Sequence, residues 1–167
     1  MLDHTSGRTY PRHRKSSLRV CSTILSVSPL ESDHLHLRDV FRRGDFSIVP
    51  TPSWTLHQEA TLAGALCALS RGSVPVVLCE QDLKPGSWHT ILDQASRMHA
   101  PPFVIVTSRL ADERLWAEAL NLGAYDVLAK PFDEDEVVRV VGSAWRRWTV
   151  QYSTRSMAAG TVFLPAS

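Results

Sequence analysis

The chain is poor in the features that mark most specialised chemistries. Its three cysteines, Cys21, Cys67 and Cys79, form no CxxC pair and no Cys/His spacing of a zinc site. Cys21 and Cys79 sit in apolar runs and Cys67 on a helical face, so all three are expected as buried, reduced thiols, in keeping with a reducing cytoplasm. The histidines (His4, His13, His34, His36, His57, His89 and His99) show neither HExxH nor a paired i,i+4 spacing and are expected at the surface. No metal site is therefore predicted. No apolar run approaches the roughly 18 residues of a membrane span. The run at 22–27 is too short and too polar for a signal-peptide core, although Arg8, Arg12, Arg14, Lys15 and Arg19 precede it. A cytoplasmic protein is the expectation. GxGxxG and GxxxxGK[ST] loops are missing, which argues against a nucleotide-binding enzyme. A net charge of +1 gives no strong nucleic-acid signal.

What is present suits one globular domain. The 167 residues are 44% apolar and 21% charged, enough for a core of normal size. Residues 1–19 are basic and nearly free of aliphatic side chains, and read as a flexible tail. Residues 150–167 lack sustained periodicity and read as a second tail, with the apolar segment TVFL at 161–164 placed to dock back. The folded domain is expected over 20–149.

Inside it, short apolar runs alternate with amphipathic ones. Strands are predicted at 22–27 (STILSV), 46–49 (FSIV), 74–79 (VPVVLC), 103–106 (FVIV) and 125–129 (YDVLA). Helices are predicted over 32–43, from Thr55 to about 71, from Ser87, over 112–122 and from Asp133 onward. Thr55 with Gln58, and Asp133 with Glu136, have capping-box spacing. Gly123 is a helix stop. The near-continuous apolar run at 74–79 fits a central parallel strand covered on both faces. Five βα units with short connections predict an α/β fold: a five-stranded parallel sheet, flavodoxin-like and doubly wound, in the order 2-1-3-4-5. Its functional crevice lies at the carboxyl ends of the strands, which present Ser28 and Pro29, Glu80, Thr107 and Ser108, and Lys130.

FVIVTS, the helix DERLWAEALNLGA and YDVLAKPF resemble the fourth strand, fourth helix and fifth strand of response-regulator receiver domains. The resemblance extends over about 22–149. It implies a hydroxyl at Thr107 and a cation at Lys130, followed by Pro131, around a phosphorylatable Asp and a Mg²⁺ held by two acids after the first strand. This chain departs from that pattern. Ser28 and Pro29 stand where the acids should be, so Mg²⁺ binding is expected to be weak or lost. The acceptor position falls on Glu80 in one register and Gln81 in another, with Asp82 just beyond. An ionised Glu80 paired with Lys130 would hold an activated-like arrangement without phosphorylation. The resemblance also implies a homodimer or output face on the fourth helix, fifth strand and fifth helix, where Trp116, Tyr125, Trp145, Arg146 and Trp148 are the interface candidates. Ser108 is expected to cap the fourth helix.

The reading is a stand-alone atypical, pseudo-receiver module, not an enzyme, that acts in phosphorelay signalling through contact with a sensor kinase or another signalling protein. The alternatives are a receiver still phosphorylated on Asp82 or Glu80, and a small-molecule-binding flavodoxin-like protein.

Overall fold

A computed structural model describes residues 22–46 and 54–159. The basic segment 1–19, Cys21, His4, His13 and the TVFL segment lie outside the described residues. The chain alternates strand and helix throughout: β1 Ser22–Val27, α1 Glu31–Arg43, β2 Trp54–Glu59, α2 Leu62–Arg71, β3 Val76–Glu80, α3 Trp88–Ser96, β4 Phe103–Ser108, α4 Glu113–Leu122, β5 Asp126–Ala129 and α5 Glu134–Ala159. All strand pairs are parallel, in the order β2-β1-β3-β4-β5. The predicted α/β class and strand order are thus the observed ones.

Alternation along the strands sends successive side chains to two apolar layers. Leu25, Val77, Val104 and Val127 face α2, α3 and α4, where Ala65, Trp88, Ile91 and Leu115 pack. Ile24, Val76, Leu78, Ile105 and Leu128 face α1 and α5, where Leu37, Val40, Val137 and Val141 pack. Every residue of β3 is buried, as a central strand covered on both faces requires.

The second βα unit departs from expectation. The strand lies at Trp54–Glu59, not at 46–49, of which only Phe46 is described. Phe46 is buried outside any strand and stacks on Phe41. Thr55 is strand, not helix cap. The helix begins after Thr61, whose hydroxyl accepts from the Gly64 N–H. β2 is an edge strand with alternating exposure, so WTLHQE has no apolar run to announce it. The chance Thr55/Gln58 spacing mimicked a capping box.

Helices α4 and α5 start at their expected capping residues, whereas Ser87 stands at the N-cap of α3 without a side-chain cap bond. Asp112 accepts from the Leu115 N–H at 2.8 Å and Asp133 from the Glu136 N–H at 2.9 Å. Gly123 closes α4 in the left-handed region, φ 98°. Helix α5 runs past the boundary expected at 149 and reaches Ala159, so the region read as a C-terminal tail begins as helix. Among the described residues no helix is long and apolar enough to cross a membrane.

Candidate functional site

Four of the five strands, β1, β3, β4 and β5, end together in a polar crevice. β1 delivers Ser28, β3 ends on Glu80, β4 carries Thr107 and Ser108, and β5 is followed by Lys130. Glu80 pairs with Thr107 across the β3–β4 ladder, and the Lys130 N–H donates to the Ser108 carbonyl at 2.8 Å. Sheet register alone therefore brings the lysine and the glutamate to one place.

The centre of the crevice is an ionic cluster. The Lys130 ammonium donates to Glu80 Oε2 and, at 2.6 Å, to Asp33 Oδ2. The lysine side chain is only 4% exposed, and those of Asp33 and Glu80 are 9% and 8% exposed. The Ser28 hydroxyl donates to the same Asp33 oxygen at 2.6 Å, and the Asp82 N–H donates to Glu80 Oε1 at 3.2 Å. Two carboxylates and one ammonium taken out of water stand together only because each is paired and hydrogen-bonded.

Asp33 is the residue that sequence reasoning missed. Where Ser28 and Pro29 bring no acid to the crevice, a carboxylate from the first turn of α1 enters it and meets Ser28 and Lys130. A signal for it exists: Asp33, Leu37 and Val40 share one helical face, so a carboxylate interrupts an apolar stripe. His34 corrects another expectation, since it is buried, not at the surface. Its Nε2–H donates to the Ser28 carbonyl at 2.9 Å, and its Nδ1 lies within hydrogen-bond distance, 2.9 Å, of the Ser26 hydroxyl. The ring thereby braces the Ser28 turn from below.

The remaining predicted residues fall as follows. Gln81 follows β3, and its carboxamide oxygen accepts from the Ser108 hydroxyl at 2.6 Å. Ser108 lines the crevice and accepts from the Leu110 N–H; Asp112, not Ser108, caps α4. Asp82 is exposed, Thr107 is buried, and Pro29 and Pro131 are exposed at the rim. The crevice opens into a cleft of about 880 Å³ whose walls include Leu30, Gln81, Asp82, Arg109, Leu110 and Arg114. Leu110 is 79% exposed there.

One residue before Glu80 and in the α2, α3 and α4 layer, the Cys79 thiol is pushed up to about 12, first by burial and then by the Glu80 carboxylate. Cys67 is exposed, which corrects the expectation that it is buried.

Trp145, expected on the face of α4, β5 and α5, is instead buried (4% exposed) edge-on to Trp54 of β2, at the opposite edge of the sheet, and so offers no surface. The apolar row of α5 includes it because 137, 141, 144, 145 and 148 lie along one side of the helix. Trp148 is half-buried and its indole N–H donates to the Pro101 carbonyl at 3.1 Å. Trp116 and Tyr125 are half-buried, the tyrosine hydroxyl lying 2.9 Å from that of Ser143, and Arg146 is exposed.

No protein-family model and no curated protein matches the chain. Solved structures do. The signal receiver domain of an HD domain-containing protein from Pseudomonas fluorescens Pf-5 is 24% identical, with 80% of this chain and 93% of that one covered and a TM-score of 0.67. A response regulator receiver domain protein from Clostridium thermocellum is 15% identical over 78% of this chain and 98% of its own, with a TM-score of 0.66. A response regulator from Thermotoga maritima is 16% identical over 76% and 99%, with a TM-score of 0.64. The architecture is that of response-regulator receiver domains.

Proposed function

We propose that this receiver-fold chain is a signalling module that works through protein–protein contact, with a fixed ionic cluster standing where a receiver domain would be phosphorylated. The observation that carries the reading is the Lys130 ammonium held at once by Asp33 and Glu80. A cation already matched by two buried carboxylates is not free to neutralise an incoming phosphoryl group. The strand end itself carries Glu80, not Asp. Among the described residues no group of three or more His, Cys, Asp or Glu side chains is placed to hold a metal ion. On this reading the chain is cytoplasmic, is not an enzyme and needs no Mg²⁺.

Glu80 has one methylene more than Asp, and its carboxylate spans the gap to Lys130 that an acyl phosphate on a shorter side chain would fill. The cluster ties β1, α1, β3 and β5 into one arrangement of the crevice loops. Partners, a sensor kinase or another copy of the chain among them, would read that arrangement on the crevice rim or on the face bearing Trp116 and Tyr125. Asp82 is the residue through which a second reading, a still phosphorylatable receiver, would act, since it is exposed on the cleft wall.

Glu80→Gln tests the mechanism. It keeps the side-chain shape and removes the charge that Lys130 pairs with. Faster amide exchange in the loops 81–87 and 109–112, with a change in oligomeric state by sedimentation, is expected. If both stay as in the wild type, the cluster does not set the signalling arrangement.

A further inference from the structure

The pole opposite the crevice carries an apolar groove that the function above does not use. It lies at the amino end of β4, between α3, the end of α4 and the far part of α5. Its volume is about 570 Å³, within the usual range of a binding site. Leu92, Pro101, Phe103, Leu122 and Tyr152 form its apolar walls, and His89 and Asp93 stand on its rim. Leu122 is 53% exposed. Helix α5 passes along this groove, because it runs antiparallel to the strands and continues beyond the sheet as far as Ala159.

We propose that the groove is the docking site of residues 162–164 of the same chain, Val-Phe-Leu, folded back antiparallel to the end of α5. Three observations converge on that occupant. The first is reach. From Tyr152 to Ala159 the helix advances about 10 Å at 1.5 Å per residue. The five residues 160–164 span about 16 Å when extended. A reversal at Gly160 therefore returns Phe163 to the level of Tyr152. The second is chemistry. Residues 160–167, GTVFLPAS, carry no charge and offer three consecutive large apolar side chains to largely apolar walls. The amino-terminal segment, with Arg8, Arg12, Arg14, Lys15 and Arg19, has no comparable apolar cluster. The third is the turn itself: glycine directly after the last helical residue is the usual device for ending a helix and reversing the chain. Docking there would cover Leu122 and Phe103 and hold the projecting end of α5 against the domain. A partner that needs this pole would then have to displace the segment.

The test is a disulfide trap in the full chain. Leu122→Cys and Phe163→Cys are introduced together with Cys21→Ser and Cys67→Ser, and the protein is oxidised gently at low concentration. A monomer lighter by two hydrogens, with a tryptic peptide joining 122 to 163, is expected. A disulfide-linked dimer would overturn the proposal in favour of a second copy as the occupant, and no cross-link would overturn it outright. Hydrogen exchange guards against a trap that misfolds. Phe163→Asp should accelerate exchange over 89–96 and 120–124 by roughly tenfold, the factor equivalent to about 1.4 kcal/mol. Exchange unchanged by that substitution would also contradict the proposal.

Discussion

Val76, Val77, Leu78 and Cys79 are buried and apolar; the next residue, Glu80, is also buried but carries a carboxyl group. The same contrast repeats on the neighbouring strands, where Ile24, Leu25 and Val27 lead to Ser28, and Ile105 and Val106 to Thr107 and Ser108. Within one or two residues the sheet passes from an apolar interior to a polar edge. The interior stabilises the fold by removing apolar surface from water, a non-directional effect that tolerates substitution of similar volume. The edge holds its charges only through specific partners. A buried ion cluster is weak evidence for stability but fixes one arrangement of the groups that form it. The contrast therefore sets non-directional apolar burial in the middle of the sheet against directional charge pairing at its end.

That contrast can be broken by substitution. The largest effect is expected for Lys130→Met, which leaves the Asp33 and Glu80 carboxylates buried without their counter-ion. It should cost about 3–5 kcal/mol in a urea titration. The triple substitution Asp33→Leu, Glu80→Met, Lys130→Met removes the cluster altogether. It should recover most of that loss, since replacing a buried ion group by apolar side chains is often neutral or stabilising. A triple variant as unstable as Lys130→Met alone would show that the edge contributes to stability as the interior does.

Leu78→Ala, two residues before Glu80, is the matching change in the interior. It should cost about 2–5 kcal/mol, and no second substitution at the edge should restore it. Recovery of Leu78→Ala by an edge variant would mean that the two regions are coupled.

The smallest effect at neutral pH lies at the boundary. Cys79 holds its proton up to about 12 in the folded chain, against an ordinary value of 9.0. The unfolded chain releases that proton first. The contribution to stability is therefore complete below about pH 9 and is lost as pH rises toward 12. Cys79→Ala should flatten the alkaline fall in stability by up to about 1.4 kcal/mol per pH unit, measured as a change of slope across that window. At neutral pH a thiol reagent should modify Cys67 at once and Cys79 only after unfolding.

The interior was far more legible in the sequence than the edge. β3 and β4 announce themselves as apolar runs, and Asp112, Gly123 and Asp133 mark helix ends that the structure keeps. β2 did not, because an edge strand with one face toward solvent needs no apolar run. The more apolar FSIV drew the prediction eight residues too early. At the crevice, the positions of Glu80 and Lys130 followed from strand ends alone. Asp33 did not, because it reaches the site from a helix five residues past Ser28. His34 stayed hidden for the same reason: two adjacent polar residues looked solvated, although the stripe Asp33, Leu37, Val40 turns that side of α1 inward.

On the proposed reading the crevice is set without phosphorylation. The direct measurement is the intact mass of the wild-type chain after incubation with a small phosphodonor and Mg²⁺, beside Glu80→Ala and Asp82→Ala. No phosphoryl adduct on any of the three is the expected result. An adduct on the wild type that disappears in only one of the variants would identify a working acceptor and contradict the account.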